Sequence, residues 1–253
     1  MKKPKSIRQE RILTELTQAP SLRVAELARR LDVSTETIRR DLDELTGQGL
    51  LNRTYGGAVR SLSTEPSVTE RHMLFVAERE RIARAAVQIL KGARVLMIGS
   101  GATTVHTARR IAVEMRDITV LTHSFGVATV LAINPTIKVI ILPGDYHATE
   151  GATVGAHTVS FLNGFYAEFA VLGASGLGPD GPSDALIECG AVYTTMMARS
   201  ARTVVVADHS KHDRLFPARY APWSAVGNLV TDKAPVQPLL DRLAANAVTL
   251  TLA

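Results

Sequence analysis

The run from Val33 to Ala58, VSTETIRRDLDELTGQGLLNRTYGGA, constrains the fold of this chain more tightly than any other stretch. Ser34 is a good N-cap, since its hydroxyl accepts from an otherwise unpaired amide of the next turn, and Val33 with Ile38 forms a hydrophobic staple around it. The helix therefore starts at Thr35. Ile38, Leu42 and Leu45 recur at i, i+4 and i+7 and share one buried stripe, which leaves Thr35, Thr37, Arg39 and Arg40 on or near the opposite side. Upstream, Val24, Leu27, Ala28 and Leu31 stripe a shorter helix, and Asp32-Val33-Ser34 leaves only a tight turn between the two. Helices joined in this way form a helix-turn-helix, whose second helix enters the DNA major groove by its N-terminal residues. There arginine pairs bidentately with guanine and threonine touches bases or phosphates. Gly47 and Gly49 punctuate the helix end, and Leu50 to Tyr55 before Gly56-Gly57 reads as a two-stranded wing with Arg53 near phosphate. The candidate DNA-binding residues are Ser34, Thr35, Thr37, Arg39, Arg40, Arg53 and Tyr55, and the implied partner is a double-stranded DNA operator.

The charge distribution agrees. The chain of 253 residues has a formal net charge of +5 and an isoelectric point near 9.6, but the excess is uneven. Residues 1–60 hold 12 basic and 8 acidic side chains, against 17 and 16 in the remainder. A basic surplus confined to the DNA-binding part suits phosphate contacts. The 46% hydrophobic content is ample for a packed α/β core. Cys189 is the only cysteine, which excludes an intramolecular disulfide and a cysteine-based metal cluster within one chain, and it reads as a small buried side chain. No apolar run follows the basic Lys2-Lys3-Pro4-Lys5, and no stretch reaches the length of a membrane span, so a cytoplasmic location without membrane contact is expected.

Ile12, Leu13 and Leu16 give a first helix, about Ser6 to Gln18, ended by Pro20. The DNA-binding domain then occupies residues 1–60, and the Ser/Thr/Pro-bearing stretch that follows marks a linker over 61–75. Over 76–253 the pattern changes. Ile82, Ala86, Ile89 and Leu90 define an amphipathic helix, and Val95–Ile98 is the first of several continuous apolar runs of strand length. Others are Ile118–Leu121, Val139–Leu142, Phe169–Leu172, Val204–Ala207 and Leu229–Val230, with Val248–Leu252 as a terminal strand. Helical stripes such as Val105, Ala108, Ala112 and Met115 separate several of them. The fold class is therefore α/β: a winged helix-turn-helix domain, then a doubly wound, mainly parallel α/β domain.

In open α/β sheets ligands bind beyond the carboxyl ends of the strands. After the first strand stands Gly99-Ser100-Gly101-Ala102-Thr103-Thr104, leading into a helix whose free amides favour an anion. After later strands come Thr122-His123-Ser124, Pro143-Gly144, Gly173-Ala174-Ser175-Gly176 and Asp208-His209-Ser210-Lys211. The Gly99 loop is neither a dinucleotide fingerprint, since Thr104 replaces its third glycine, nor a P-loop.

The helix-turn-helix residues Val33-Ser34, Thr37-Ile38-Arg39-Arg40-Asp41-Leu42, Gly49-Leu50-Leu51 and Gly56-Gly57-Ala58 resemble the N-terminal signature of DeoR-family regulators, with Arg23 departing from the serine or threonine that usually opens the second helix. The turns of the second half resemble that family's sugar-phosphate sensor domain, similar in fold to ribose-phosphate isomerases. The resemblance places Ser100, Gly101, Thr103 and Thr104 in its small hydroxylated loop, Thr122 and Ser124 in its Thr-Asn-Ser turn, Gly144 in its Gly-Gly pair, and Asp208, Ser210 and Lys211 in its Asp-x-Ser-Lys segment. Gly99, Ala102, His123 and Pro143 depart from the usual aspartate, threonine, asparagine and glycine, and Thr194 stands where the family carries a lysine. Lys211 is then the remaining cation of the site, and weaker discrimination for phosphorylated over neutral sugars than in its relatives is the corresponding expectation.

The effector-binding set is accordingly Ser100, Gly101, Ala102, Thr103, Thr104, Thr122, His123, Ser124, Gly144, Ser175, Gly176, Asp208 and Lys211. The expected function is a non-enzymatic DNA-binding regulator, a repressor of sugar metabolism genes, without cofactor or metal. A small sugar or sugar-phosphate effector controls it, and it acts as a homodimer or homotetramer. The alternative is a sugar-phosphate isomerase-like or acyl-transfer enzyme fused to a DNA-binding module, with Asp208, His123 and Glu188 as its available acids and bases.

Overall fold

The computed structural model describes residues 4–18, 21–47, 51–54, 57–60 and 65–253. The chain divides into two compact units, residues 1–63 and 64–253. The first contains α1 (Pro4–Gln18), β1 (Ser21–Arg23), α2 (Val24–Leu31), α3 (Thr35–Gly47), β2 (Leu51–Thr54) and β3 (Gly57–Arg60). Ile12 and Leu16 of α1, Leu27 and Leu31 of α2, and Ile38, Leu42 and Leu45 of α3 meet in one core with Val33 packed against it. Thr37 N donates to Ser34 Oγ at 3.1 Å, the expected cap of α3. Before α2 the N-cap position is Arg23, which makes no side-chain cap bond. Strands β2 and β3 pair antiparallel and β1 adds to β3, giving the winged three-stranded sheet. Asp41, 1% exposed, accepts from Arg8 Nε at 2.5 Å and Nη2 at 3.1 Å, which ties α1 to α3.

In the second unit the order is α4 (Val68–His72), α5 (Val76–Leu90), β4 (Val95–Ile98), α6 (Ala102–Glu114), β5 (Ile118–Thr122), α7 (Phe125–Leu131) and β6 (Ile137–Ile141). A hairpin of β7 (Asp145–His147) and β8 (Ala152–Val154) precedes α8 (Ala156–Leu162) and β9 (Ala167–Leu172). Then come β10 (Gly176–Gly178), β11 (Gly181–Asp184), α9 (Ile187–Ala198), β12 (Ser200–Val206), β13 (Ala218–Arg219), β14 (Asn228–Thr231), α10 (Leu239–Ala245) and β15 (Thr249–Leu252). Seven strands form one sheet in the order β15-β14-β12-β9-β4-β5-β6, and all its pairings are parallel. Apolar clusters line both faces, Met97, Leu121, Leu172 and Val205 on one and Leu96, Ile98, Val120 and Val206 on the other. Burial on both sides explains why these strands read as continuous apolar runs rather than alternating ones. After β4 the chain turns outward to β5 on one side while β9 lies on the other, so the crevice between β4 and β9 is the switch point of the sheet.

The expected linker over 61–75 requires correction. Residues 65–75 belong to the second unit and carry α4, which begins with a complete capping box: Glu70 N donates to Ser67 Oγ at 3.3 Å and Ser67 N to Glu70 Oε2 at 2.8 Å. Val68 N also donates to Thr149 O at 3.0 Å, pinning the segment to the β7–β8 connection. Among the described residues no helix is long and apolar enough to cross a membrane.

Candidate functional site

The first unit presents α3 outward. Thr35, Arg39 and Arg40 are exposed, whereas Thr37 is half-buried and its Oγ1 lies 2.9 Å from Ser34 Oγ. Glu36 holds both arginines on that face, 3.9 Å from Arg39 Nη1 and 3.4 Å from Arg40 Nε. Such exposed pairs are weak and screened by salt, so they restrain the guanidinium groups without neutralising the surface. Arg53 lies in β2 opposite Ala58; its side chain, and Tyr55 altogether, fall outside the described residues.

At the switch point of the sheet a polar pocket is lined by Ser100, Gly101, Ala102 and Thr103, by Gly173 and Ala174, and by Arg71, Arg79, Glu150, Asp184, Tyr193 and Lys211. Gly101 occupies the N-cap position of α6 at φ +125°, a backbone conformation that favours glycine, and makes no side-chain cap bond. The α6 dipole and first-turn amides thus point to where an anion is favoured. Three cations stand around it. Arg71 donates from Nη1 to Glu65 at 3.2 Å and from Nη2 to Glu150 at 2.5 Å. Lys211 Nζ donates at 2.6 Å to the same Glu65 oxygen, Oε1. Arg79 is used structurally: Nε and Nη2 donate to Asp208 Oδ2 at 3.2 and 3.1 Å, and Nη1 donates to the carbonyls of Arg71 and Leu74. Burial works against the Asp208 charge, but Ser210, Arg79 and Lys211 hold its carboxyl below the ordinary value.

Several expected effector residues support this pocket instead of lining it. His123 is buried; its Nε2 accepts from Ser100 N at 3.0 Å, so Nδ1 carries the proton and donates to Thr153 O at 2.7 Å. Thr122 Oγ1 donates to Ile98 O at 2.7 Å and accepts from Ser124 N, while Ser124 caps α7. Thr104 Oγ1 donates to Gly101 O at 2.8 Å. Gly144 packs under Thr158 and Val154, Ser175 Oγ accepts from Ala185 N, and Gly176 pairs with Ser183 in a hairpin. These positions serve backbone geometry, and Asp208 serves it through Arg79. Thr194, the expected gap in positive charge, bonds to the carbonyls of Gly190 and Tyr220 and does not line the pocket. Lys211 is therefore not the sole cation of the site, because Arg71 stands beside it.

The Gly99 departure also has a local cause. A Cβ there would lie 2.7 Å from the ring of Tyr193, whose hydroxyl donates to Ser100 O at 2.9 Å and sits 2.9 Å from Ser100 Oγ. The tyrosine occupies the space that a residue-99 side chain would need. Cys189 is buried 3.9 Å from Ser100 Oγ, and burial pushes its thiol up, which makes it a poor nucleophile.

Family comparison decides the class of molecule. The DeoR C terminal sensor domain matches residues 75–233, and the DeoR-like helix-turn-helix domain matches residues 8–64. The chain belongs to the DeoR family. Relatives of this DeoR-family protein include the HTH-type transcriptional repressor CsqR of Escherichia coli, 30% identical over 97% of this chain and 94% of that one. The glycerol-3-phosphate regulon repressor of E. coli is 29% identical over 90% of each, and the HTH-type transcriptional repressor GlcR of Bacillus subtilis is 29% identical over 94% and 93%. A ribose 5-phosphate isomerase A from Methanocaldococcus jannaschii overlaps 53% of each chain at TM-score 0.38 and 19% identity, too loose a likeness to bear on chemistry.

Arg71, Arg79, Glu65, Glu150, Asp184 and Tyr193 were not among the residues expected from the sequence. Two of the signals were present. Ser67-Val68-Thr69-Glu70 has capping-box spacing, which announces α4 within the supposed linker. Arg79 sits three residues before Ile82 on the apolar stripe of α5, and a charge at a buried phase implies a buried partner.

Two buried histidines make the sensor domain of this DeoR-family protein sensitive to acid. Burial lowers the His123 imidazole to about 4, against the pull of the Thr153 carbonyl, and burial with Arg109 lowers His106 to about 4. Because both lie below the ordinary 6.5, the stability they contribute is present above that pH and lost as the pH falls toward 4. Burial pushes the Asp184 carboxyl up to about 7, so over the same range Asp184 acts in the opposite direction. His123→Asn is expected to lower the proton uptake on unfolding between those limits by close to one. The slope of unfolding free energy against pH measures it, and a wild-type slope in the variant would show that His123 titrates normally.

Proposed function

We propose that this DeoR-family protein is a cytoplasmic, non-enzymatic repressor of sugar metabolism genes that binds operator DNA as a homodimer or homotetramer and responds to a sugar phosphate. The observation that carries the ligand reading is the cation pair Arg71 and Lys211, set beside the uncapped start of α6 at the switch point of the sheet. The names of relatives support the regulatory reading: repressors of a glycerol-3-phosphate regulon and of a lactose phosphotransferase system are among them. Two half-sites one helical turn apart suit a two-fold assembly. For an enzyme the candidate acids and bases are poorly available: His123 has both ring nitrogens engaged, Asp208 is held by Arg79, and Glu188 is exposed and outside the pocket lining.

Arg40→Ala tests the DNA-binding face. If Arg40 reads a base, affinity for the footprinted operator falls by about 1–3 kcal/mol while random DNA is little affected. If it contacts phosphate, affinity falls on all sequences and the salt slope flattens. Fluorescence anisotropy on operator and random duplexes separates these results, and unchanged binding to both removes Arg40 from the interface.

A further inference from the structure

We propose that Glu65 is the internal occupant of the effector's anion subsite, and that the effector's phosphate binds by displacing it. The inference rests on the reading of the pocket as an anion site. Glu65 Oε1 accepts from both Arg71 Nη1, at 3.2 Å, and Lys211 Nζ, at 2.6 Å, with its side chain only 3% exposed. It is thus a carboxylate seated between the two cations that an anionic ligand needs. The remaining cavity is about 20 Å³, room for roughly one water molecule, so a sugar phosphate enters only if a side chain leaves.

Three observations single out Glu65 as the group that moves. Asp208 is fixed by Arg79 and Ser210, and Glu150 lies in the β7–β8 connection, which is held by Gly151 N on Ala148 O, Phe125 N on Gly151 O and Val68 N on Thr149 O. Glu65 precedes the capped start of α4, and among the described residues its side chain is held only by its ion pairs with Arg71 and Lys211. Next, Arg71 is buried, yet its Nε has no hydrogen-bond partner among the described residues. The two carboxylates present engage only its Nη groups, whereas a phosphate, with three terminal oxygens, can accept from Nε as well. Finally, charge favours the exchange. With Glu65 in place, the cations Arg71, Arg79 and Lys211 face the carboxylates Glu65, Glu150 and Asp208; without it the balance turns positive, and Asp184, raised to about 7, adds only part of a charge near neutrality.

The competitor sets selectivity and supplies coupling. A ligand must outcompete a tethered carboxylate, so a dianionic phosphate monoester succeeds where a neutral sugar or a monocarboxylate does not. This runs against the reduced phosphate discrimination, relative to its family, inferred from Thr194. Glu65 also lies just beyond the end of the DNA-binding unit at residue 63. Ligand that binds only the state with Glu65 released biases the segment leading back to that unit, which is the differential binding that allosteric control requires.

The test uses the full chain, inorganic phosphate as the probe, and chloride and acetate at matched ionic strength as controls. Hydrogen exchange of the wild type should show phosphate, but not acetate, protecting the amides of residues 100–104 while accelerating exchange at Val68 and Arg71. Glu65→Gln should bind phosphate about ten-fold more tightly, the effect of removing one charge-assisted competitor. Protection at 100–104 with no acceleration at 68–71, or a Glu65→Gln affinity equal to wild type, overturns the displacement and leaves the anion site standing. No protection at 100–104 and no phosphate binding by Glu65→Gln overturns the anion site itself, and the displacement with it. The wild-type exchange result decides even if the variant folds poorly.

Discussion

Arg79→Ala is expected to destabilise the sensor domain by about 3–5 kcal/mol, the range for breaking a buried ion pair by removing one partner. Arg79 and Asp208 are 2% and 0% exposed in their side chains, so truncation leaves a carboxylate in the interior with no cation in contact. The same change strips two donors from the carbonyls of Arg71 and Leu74, which hold the turn between α4 and α5. Trp223, the only tryptophan and buried in this unit, reports the transition by fluorescence during urea denaturation. Removing both charges in Arg79→Met with Asp208→Asn should recover part of the loss, because no unpaired ion then remains. A loss below about 1 kcal/mol in the single variant would mean that water reaches Asp208 and that the pair does not organise the site.

Leu42→Ala is expected to remove DNA binding while leaving the sensor domain intact. Leu42 is fully buried in the core of the first unit, and a leucine truncated in a core costs about 2–5 kcal/mol. A unit of some sixty residues buries a smaller share of its surface than a larger domain does, so that loss is comparable with its whole stability. Circular dichroism should show a missing low-temperature transition, anisotropy should show no operator binding, and the Trp223 transition should stay at its wild-type midpoint. A shifted Trp223 transition would show that the two units unfold together.

The legible parts of this protein are those governed by local rules. Ser34, Val33 and the Ile38-Leu42-Leu45 stripe are all properties of one helical turn and its neighbours, and they appear in the structure as a cap, a staple and a core face. The strand runs at Val95, Phe169, Val204 and Leu229 were readable because a parallel sheet buries both faces of its inner strands, whereas the edge strand β6 leaves Ile141 exposed. The Gly99–Thr104 loop was found through its position after the first of those strands. The turns after the other strands were harder. Small hydroxylated residues there look alike whether they face a ligand or hold the backbone, and for Thr122, Ser124 and Ser175 the backbone role is the one observed.

From the sequence alone come a helix-turn-helix with paired arginines, a doubly wound sheet, and the turn after its first strand that lines the polar pocket, because periodicity, capping and strand burial act over a few residues. Only the tertiary structure brings Arg79 to Asp208 across 129 positions, Arg71 to Glu150 across 79 and Lys211 to Glu65 across 146. It also takes His123 out of the pocket and into the support of Ser100. Charges pair through space wherever the turns of a sheet converge, and a buried ion needs a partner whatever its sequence distance. The residues that set the charge of the site therefore leave no common local pattern in the chain.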